Sequence, residues 1–115
     1  MTPAQQNRVI GFNASLKTRG VTLALRPSGL TFQALIEPAA NYKLRKTETL
    51  TNEKVSDVIY AHRPDIASIE NQIETPIRVG AVFVYGDKEF RVVDRHDDAA
   101  NVVSIEFHCQ SSKAT

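Results

Sequence analysis

A single cysteine, Cys109, stands among the 115 residues. An intrachain disulfide framework is therefore excluded, and a reducing compartment is the natural setting. No apolar run approaches the roughly 20 residues a membrane-spanning helix needs. The first residues, MTPAQQNRVIGF, lack the basic segment and continuous apolar core of a signal peptide. The chain is accordingly read as soluble, made in the cytoplasm and without a membrane partner. Net charge is also nearly missing: 14 Lys and Arg against 13 Asp and Glu leave +1. There is no global basic field of the kind that drives non-specific nucleic-acid binding. Gly11, Gly20, Gly29, Gly80 and Gly86 are scattered at turns and ends, so no glycine-rich phosphate loop exists, and no GxSxG, HExxH or paired-cysteine signature occurs. These absences point away from an enzyme, and neither a catalytic residue nor a cofactor is expected.

What is present suits one small globular domain, with 42% apolar and 23% charged residues. Residues 2–20 read as a helix. Thr2, Pro3 and Gln5 form a capping-box pattern with proline in the first turn, where its missing N–H costs nothing. Val9, Phe12 and Leu16 fall on one stripe, and Gly20 is the expected left-handed stop after Lys17 and Arg19. Gly11 weakens the middle by about 1 kcal/mol, so such a helix needs a surface to dock on.

The period then changes to two. In VTLALRPSGLTFQALIE, Val21, Leu23 and Leu25 alternate with Thr22, Ala24 and Arg26, and after RPSG the residues Leu30, Phe32, Ala34 and Ile36 do the same. The pattern predicts a β-hairpin over 21–37 with one core face. DVIYAH (57–62) reads as a further strand, AVFVYGDKEFRVVD as two strands about a Gly86-Asp87 turn, and NVVSIEFHCQ as the last strand, with SSKAT a frayed tail over 111–115. Gly80 marks a bend before Ala81. The expected fold is mainly β: a small antiparallel barrel or sandwich with an N-terminal helix, residues 57–110 supplying the remaining strands.

Between the two β regions, 38–56 (PAANYKLRKTETLTNEKVS) shows little periodicity. Structureless loops of this length in compact domains are usually functional or disordered. As flexible coil it would reach on the order of 25 Å, far enough to touch a neighbouring subunit. Its run Tyr42, Lys43, Leu44, Arg45, Lys46 interleaves an aromatic with three cations, the ingredients of a nucleic-acid contact, and Lys54 adds another cation.

The densest cluster of chemically capable side chains is DRHDD, with Asp94, His96, Asp97 and Asp98 in five residues. A metal or acid–base site built on Asp94, His96 and Asp98 competes with a charged corner between two strands. His62 and His108 could join such a site only through the fold. Asp and Asn are favoured in turns because their side chains stabilise them, and the corner is the preferred reading, with no metal expected. Cys109 shares a face with Ile105 and Phe107 and reads as a buried, inert thiol.

The order of these elements resembles the head–tail joining proteins of long-tailed phages, in particular the lambda-like head-closure (head completion) family. The residues carrying the likeness are VTLALRPSGLTFQALIEPAANY, a hairpin followed at once by the loop, and IRVGAVFVYGDKEFRVVDRHDDAANVVSIEF, a strand pair about a Gly-Asp turn before an acidic corner and a final strand. The resemblance implies a non-enzymatic structural role in the neck of a virion. The chain would form a homo-oligomeric ring, a hexamer or dodecamer, against a portal or adaptor ring. That ring closes the channel on packaged double-stranded DNA and docks tail-tube or tail-terminator proteins. It would place Tyr42, Lys43, Leu44, Arg45, Lys46 and Lys54 toward the channel or a neighbour. The helix stripe Val9, Phe12, Leu16 and the turn Gly86, Asp87, Lys88 would make docking contacts. Near-neutral charge suits such a passage, since a strongly basic lining would grip phosphates as DNA leaves. The alternative is a small β-barrel binding module for nucleic acid or peptide, which would need exposed aromatics on one strand face.

Overall fold

The computed structural model describes residues 2–41, 55–99 and 101–113. Helix α1 (Pro3–Arg19) starts where the capping box predicts: the Gln5 N–H donates to Thr2 Oγ1, and the Gln5 side chain accepts from the Thr2 N–H at 2.8 Å. It ends at Gly20, but not in the left-handed conformation expected. Gly20 is extended, with φ −69° and ψ 150°. Glycine is required there for closeness instead: a Cβ would sit 2.3 Å from the Leu16 carbonyl oxygen.

Six strands follow: β1 (Val21–Arg26), β2 (Thr31–Pro38), β3 (Asp57–His62), β4 (Val82–Tyr85), β5 (Lys88–His96) and β6 (Ser104–Lys113). All neighbours pair antiparallel, and the order β1-β2-β3-β6-β5-β4 closes on itself through β1 and β4. The expected mainly-β barrel with an N-terminal helix is therefore the fold. Period-two alternation points Leu23, Leu25, Phe32, Ala34, Ile59, Ala61, Phe83, Phe90, Val92, Ile105, Phe107 and Cys109 into one interior cluster. At its centre Phe83 meets Phe32 and Phe107 edge to face, with ring centroids 4.8 and 5.1 Å apart, the geometry the ring quadrupole favours.

Three further expectations are corrected. Residues 57–110 are not all strand: helix α2 (Arg63–Ile73) follows β3 directly, with Pro64 in its first turn. Its Ile66 and Ile69 belong to the barrel's interior cluster, and in a closed barrel helix residues reach the interior only through an end. So α2 plugs the barrel. The tail is not frayed over 111–113, because β6 runs on to Lys113 and pairs Ser111, Ser112 and Lys113 with Phe90, Glu89 and Lys88. Ser111 is also tied to Ser56 through its N–H and its hydroxyl, at 2.8 and 3.0 Å. Finally, the strand predicted to end at Asp94 runs on through His96, and the corner begins only at Asp97.

The predicted loop begins with one 3-10 turn, Ala39–Asn41. Among the described residues no helix is long and apolar enough to cross a membrane.

Candidate functional site

β5 contains a bulge. Its register against β6 is continuous from Lys88↔Lys113 to Val92↔Cys109, then skips Val93 and resumes at Asp94↔His108, Arg95↔Phe107 and His96↔Glu106. An extra residue inverts the alternation beyond it. Phe90 and Val92 point inward, so unbroken alternation would have driven Asp94 and His96 into the apolar interior. The bulge at Val93 instead sets Asp94 and His96 on the outer face, across from His108 and Glu106, and turns Arg95 to the Phe107 side.

On that outer face two acids and two histidines make a checkerboard. Along β5, His96 Nε2 lies 2.7 Å from Asp94 Oδ2. Along β6, His108 Nε2 lies 3.3 Å from Glu106 Oε2. The two imidazoles stack diagonally across the strands, centroids 4.2 Å apart and planes 20° from parallel. Asp94, His96 and Glu106 are partly exposed, whereas His108 is fully buried. Ligating atoms of Asp94, His96 and His108 all lie within 4.8 Å of one another. The third member, His108, is thus brought to the pair by the fold, while Asp98 of the sequence-based trio stays outside it, in the corner.

On the inward side, Arg95 organises the junction with α2. Its guanidinium donates to Glu70 at 2.7 Å, to the Ile77 carbonyl at 2.8 Å and to Asp97 at 3.1 Å, and it lies 5.4 Å from the centroid of the Phe107 ring. Glu70 also accepts from the Ile77 N–H at 2.7 Å. Burial works to lower the Arg95 pKa, and the Glu70 and Asp97 carboxylates outweigh it, holding it above its ordinary value. Burial likewise works to raise Asp97, but its hydrogen bonds from Arg63 and Arg95 bring it below the usual aspartate value. Arg63 adds bonds to the Asp98 and Ser104 carbonyls, fastening the corner to the start of α2. The Asp97 carboxylate thus has a partner, Arg63, that no reading of the strand alone supplies, and the Asp98 backbone is held by the same side chain.

The Cys109 thiol is pushed up to about 12 by burial, with a smaller contribution from the Asp57 carboxylate. It donates to the Phe107 carbonyl and carries no nucleophile at neutral pH, as the sequence indicated.

The predicted docking residues fall in several places. Val9, Phe12 and Leu16 form the half-buried side of α1, where Phe12 stacks on His62 with centroids 6.2 Å apart. No residue of α1 is fully buried, and Ile10 is 68% exposed. Gly86, Asp87 and Lys88 form an exposed turn beside Tyr85, which is 45% exposed. Tyr42, Lys43, Leu44, Arg45, Lys46 and Lys54 lie outside the described residues. Sequence reasoning missed Ile10 and Val79, the latter 63% exposed beside an apolar groove of about 490 Å³ walled by Leu25, Pro27, Ile73 and Pro76.

No protein-family model matches the sequence, and no curated protein matches it either.

Proposed function

We propose that this chain is a structural connector of a tailed phage or prophage: a neck protein forming a ring at the portal vertex, closing the DNA channel and docking the tail. The observation that carries the reading is α1. It is 17 residues long, capped at its start, and yet has no buried residue and leaves Ile10 in solvent. With a glycine in its middle such a helix is marginal on its own, and it sets only half-buried residues against its own barrel, so a second surface in an assembly is what would fix it. The closed barrel supports the same view. It offers no free strand edge for β-addition, which leaves helices, loops and turns to make subunit contacts.

The aromatic residues weigh against a nucleic-acid-binding module. Phe32, Phe83, Phe90 and Phe107 are all buried in the barrel, and among the described residues no strand face presents a row of rings on which bases could stack.

The reading is tested by deleting the gene from a phage or prophage that encodes it. Expected are DNA-filled heads that leak and carry no tails; fully tailed, infectious particles would refute it. A finer test is Ile10→Lys. A surface change of this kind leaves the monomer's stability within about 0.5 kcal/mol, while ring assembly on portal-bearing heads, seen by electron microscopy, is lost.

A further inference from the structure

We infer that Asp94, His96 and His108 form a binding site for a divalent transition-metal ion, of which Zn²⁺ is the best fit, with Glu106 available as a fourth donor. The donor chemistry comes first. Two imidazoles and carboxylate oxygens make a mixed nitrogen–oxygen set, which suits zinc and its first-row neighbours rather than calcium or magnesium, both of which take oxygen alone. Geometry comes next. The three ligating atoms lie within 4.8 Å of one another. Tetrahedral zinc, with bonds of about 2.0–2.2 Å, needs its donors roughly 3.3 Å apart. The set must contract by about 1.5 Å at most to reach that spacing. His96 supplies the movement: its side chain is 33% exposed, so its ring has room to swing out of the stack while His108 stays in place. His108 is the fixed anchor, buried and already beside Glu106.

The third consideration is how the site is built. Asp94 and His96 come two residues apart on one strand, His108 and Glu106 two apart on the next, and their cross-strand pairing sets each acid opposite a histidine. This arrangement exists only because of the bulge at Val93. Bulges re-aim side chains and recur beside functional sites, and here the re-aimed residues are the two that ligate. With Glu106, 3.3 Å from His108 Nε2, as the fourth donor no coordination position would be left open, and the ion would be structural. It would clamp β5 to β6 on the outer face, just beyond the irregularity where their ladder is interrupted.

The test uses the tag-free full chain, stripped with chelator and titrated with Zn²⁺. Expected are one ion per chain by calorimetry, a rise in thermal midpoint, and movement of the His96 and His108 ring resonances while those of His62 stay in place. Asp94→Asn and His96→Gln, both at partly exposed positions, should each weaken binding at least about tenfold. Asp87→Asn, in the distant β4–β5 turn, should bind as the native chain does. The inference is overturned if the native chain takes up no stoichiometric zinc at micromolar concentration. It is equally overturned if D94N and H96Q bind zinc as tightly as the unaltered chain, or if the His62 ring responds instead.

Discussion

Replacing Arg95 by methionine keeps an apolar stem beside Phe107 and removes every polar contact of the guanidinium. The side chains of Arg95 and Glu70 are 18% and 22% exposed, so the pair is partly shielded from water but not sealed. Removing one partner of a fully buried pair costs about 3–5 kcal/mol, because the other charge is stranded. With the exposure seen here, and with Glu70 still accepting from the Ile77 N–H, the expected cost falls to about 2–3 kcal/mol. For a domain of this size that lowers the thermal midpoint by roughly 8–15 °C. The assay is a double-mutant cycle of R95M, E70A and the double variant, measured by urea denaturation. The bond from Ile77 to Glu70 cancels in the cycle, and the remaining coupling should be about 1–2 kcal/mol. Added salt should change it little, since partly buried pairs are weakly screened. A cost below about 0.5 kcal/mol for R95M, within the range of ordinary surface changes, would refute the reasoning. So would additive effects of the two substitutions. Either result would mean that the Arg95–Glu70 pair does little to hold α2 on the barrel.

The remaining predictions are shorter. Asp97 has its pKa depressed in the folded state, so its contribution is fully present above the unfolded value, near 3.8, and is lost as pH falls through the lower folded value. With more than a third of its side chain exposed, the effect is a few tenths of a kcal/mol to about 1 kcal/mol, and Asp97→Asn should make the acid limb of an unfolding curve shallower. Cys109, buried and with its thiol pushed up to about 12, should resist a thiol reagent in the native chain and react fully once the chain is unfolded; rapid native reaction would contradict its burial. The glycines of α1 should respond in opposite senses to alanine. Gly20→Ala meets the Leu16 carbonyl and should cost about 1–3 kcal/mol, whereas Gly11 has open space around it, so Gly11→Ala should add up to about 1 kcal/mol of helix stability. Circular dichroism and thermal melts of the two variants check the signs.

What could be read from the sequence was local, and what was missed depended on distant partners or on missing punctuation. Thr2 and Gln5 announced α1 through an interaction three residues long, and the alternation of Leu23, Leu25, Phe32 and Ala34 announced β1 and β2 through the pleat itself. Helix α2 lacked such marks. Its N-cap is His62, which makes no side-chain capping bond, and its C-cap is Glu74 at φ 59°, a left-handed position without the glycine that usually signals one. The signal that could have found it is the spacing of Ile66, Ile69 and Ile73 after Arg63-Pro64, a helical stripe behind a proline in the first turn. The extension of β6 to Lys113 could not be read from SSK, because it rests on β5 lying alongside. The predicted strand ended at Asp94, two residues short of the end of β5 at His96. Acidic residues favour turns, and that preference set the corner too early. The bulge at Val93, which lets Asp94 and His96 continue the strand on its outer face, depends on the pairing with β6 and left no mark in the sequence.

That bulge also decides which surfaces the molecule has left to use. Closure of the barrel removes strand edges, and the interior takes four of the five phenylalanines, leaving only Phe12 of α1 outside it. Among the described residues the large apolar side chains most exposed to solvent are then Ile10 on α1, Val79 before β4 and Tyr85 at the β4–β5 turn. They sit on three separate segments of the chain. A two-fold dimer is built on a single self-complementary face, whereas a ring with head-to-tail contacts needs two unlike faces on each subunit. Scattered apolar residues on a closed barrel suit the second arrangement better than the first. The outer face of β5 and β6 contributes differently, being polar, partly shielded and rich in nitrogen and oxygen donors. A metal clamp there would stiffen the two strands nearest the Arg95 junction without drawing on any of the three apolar positions. The proposed zinc site uses none of these three apolar residues, so it and the proposed ring can each fail without the other.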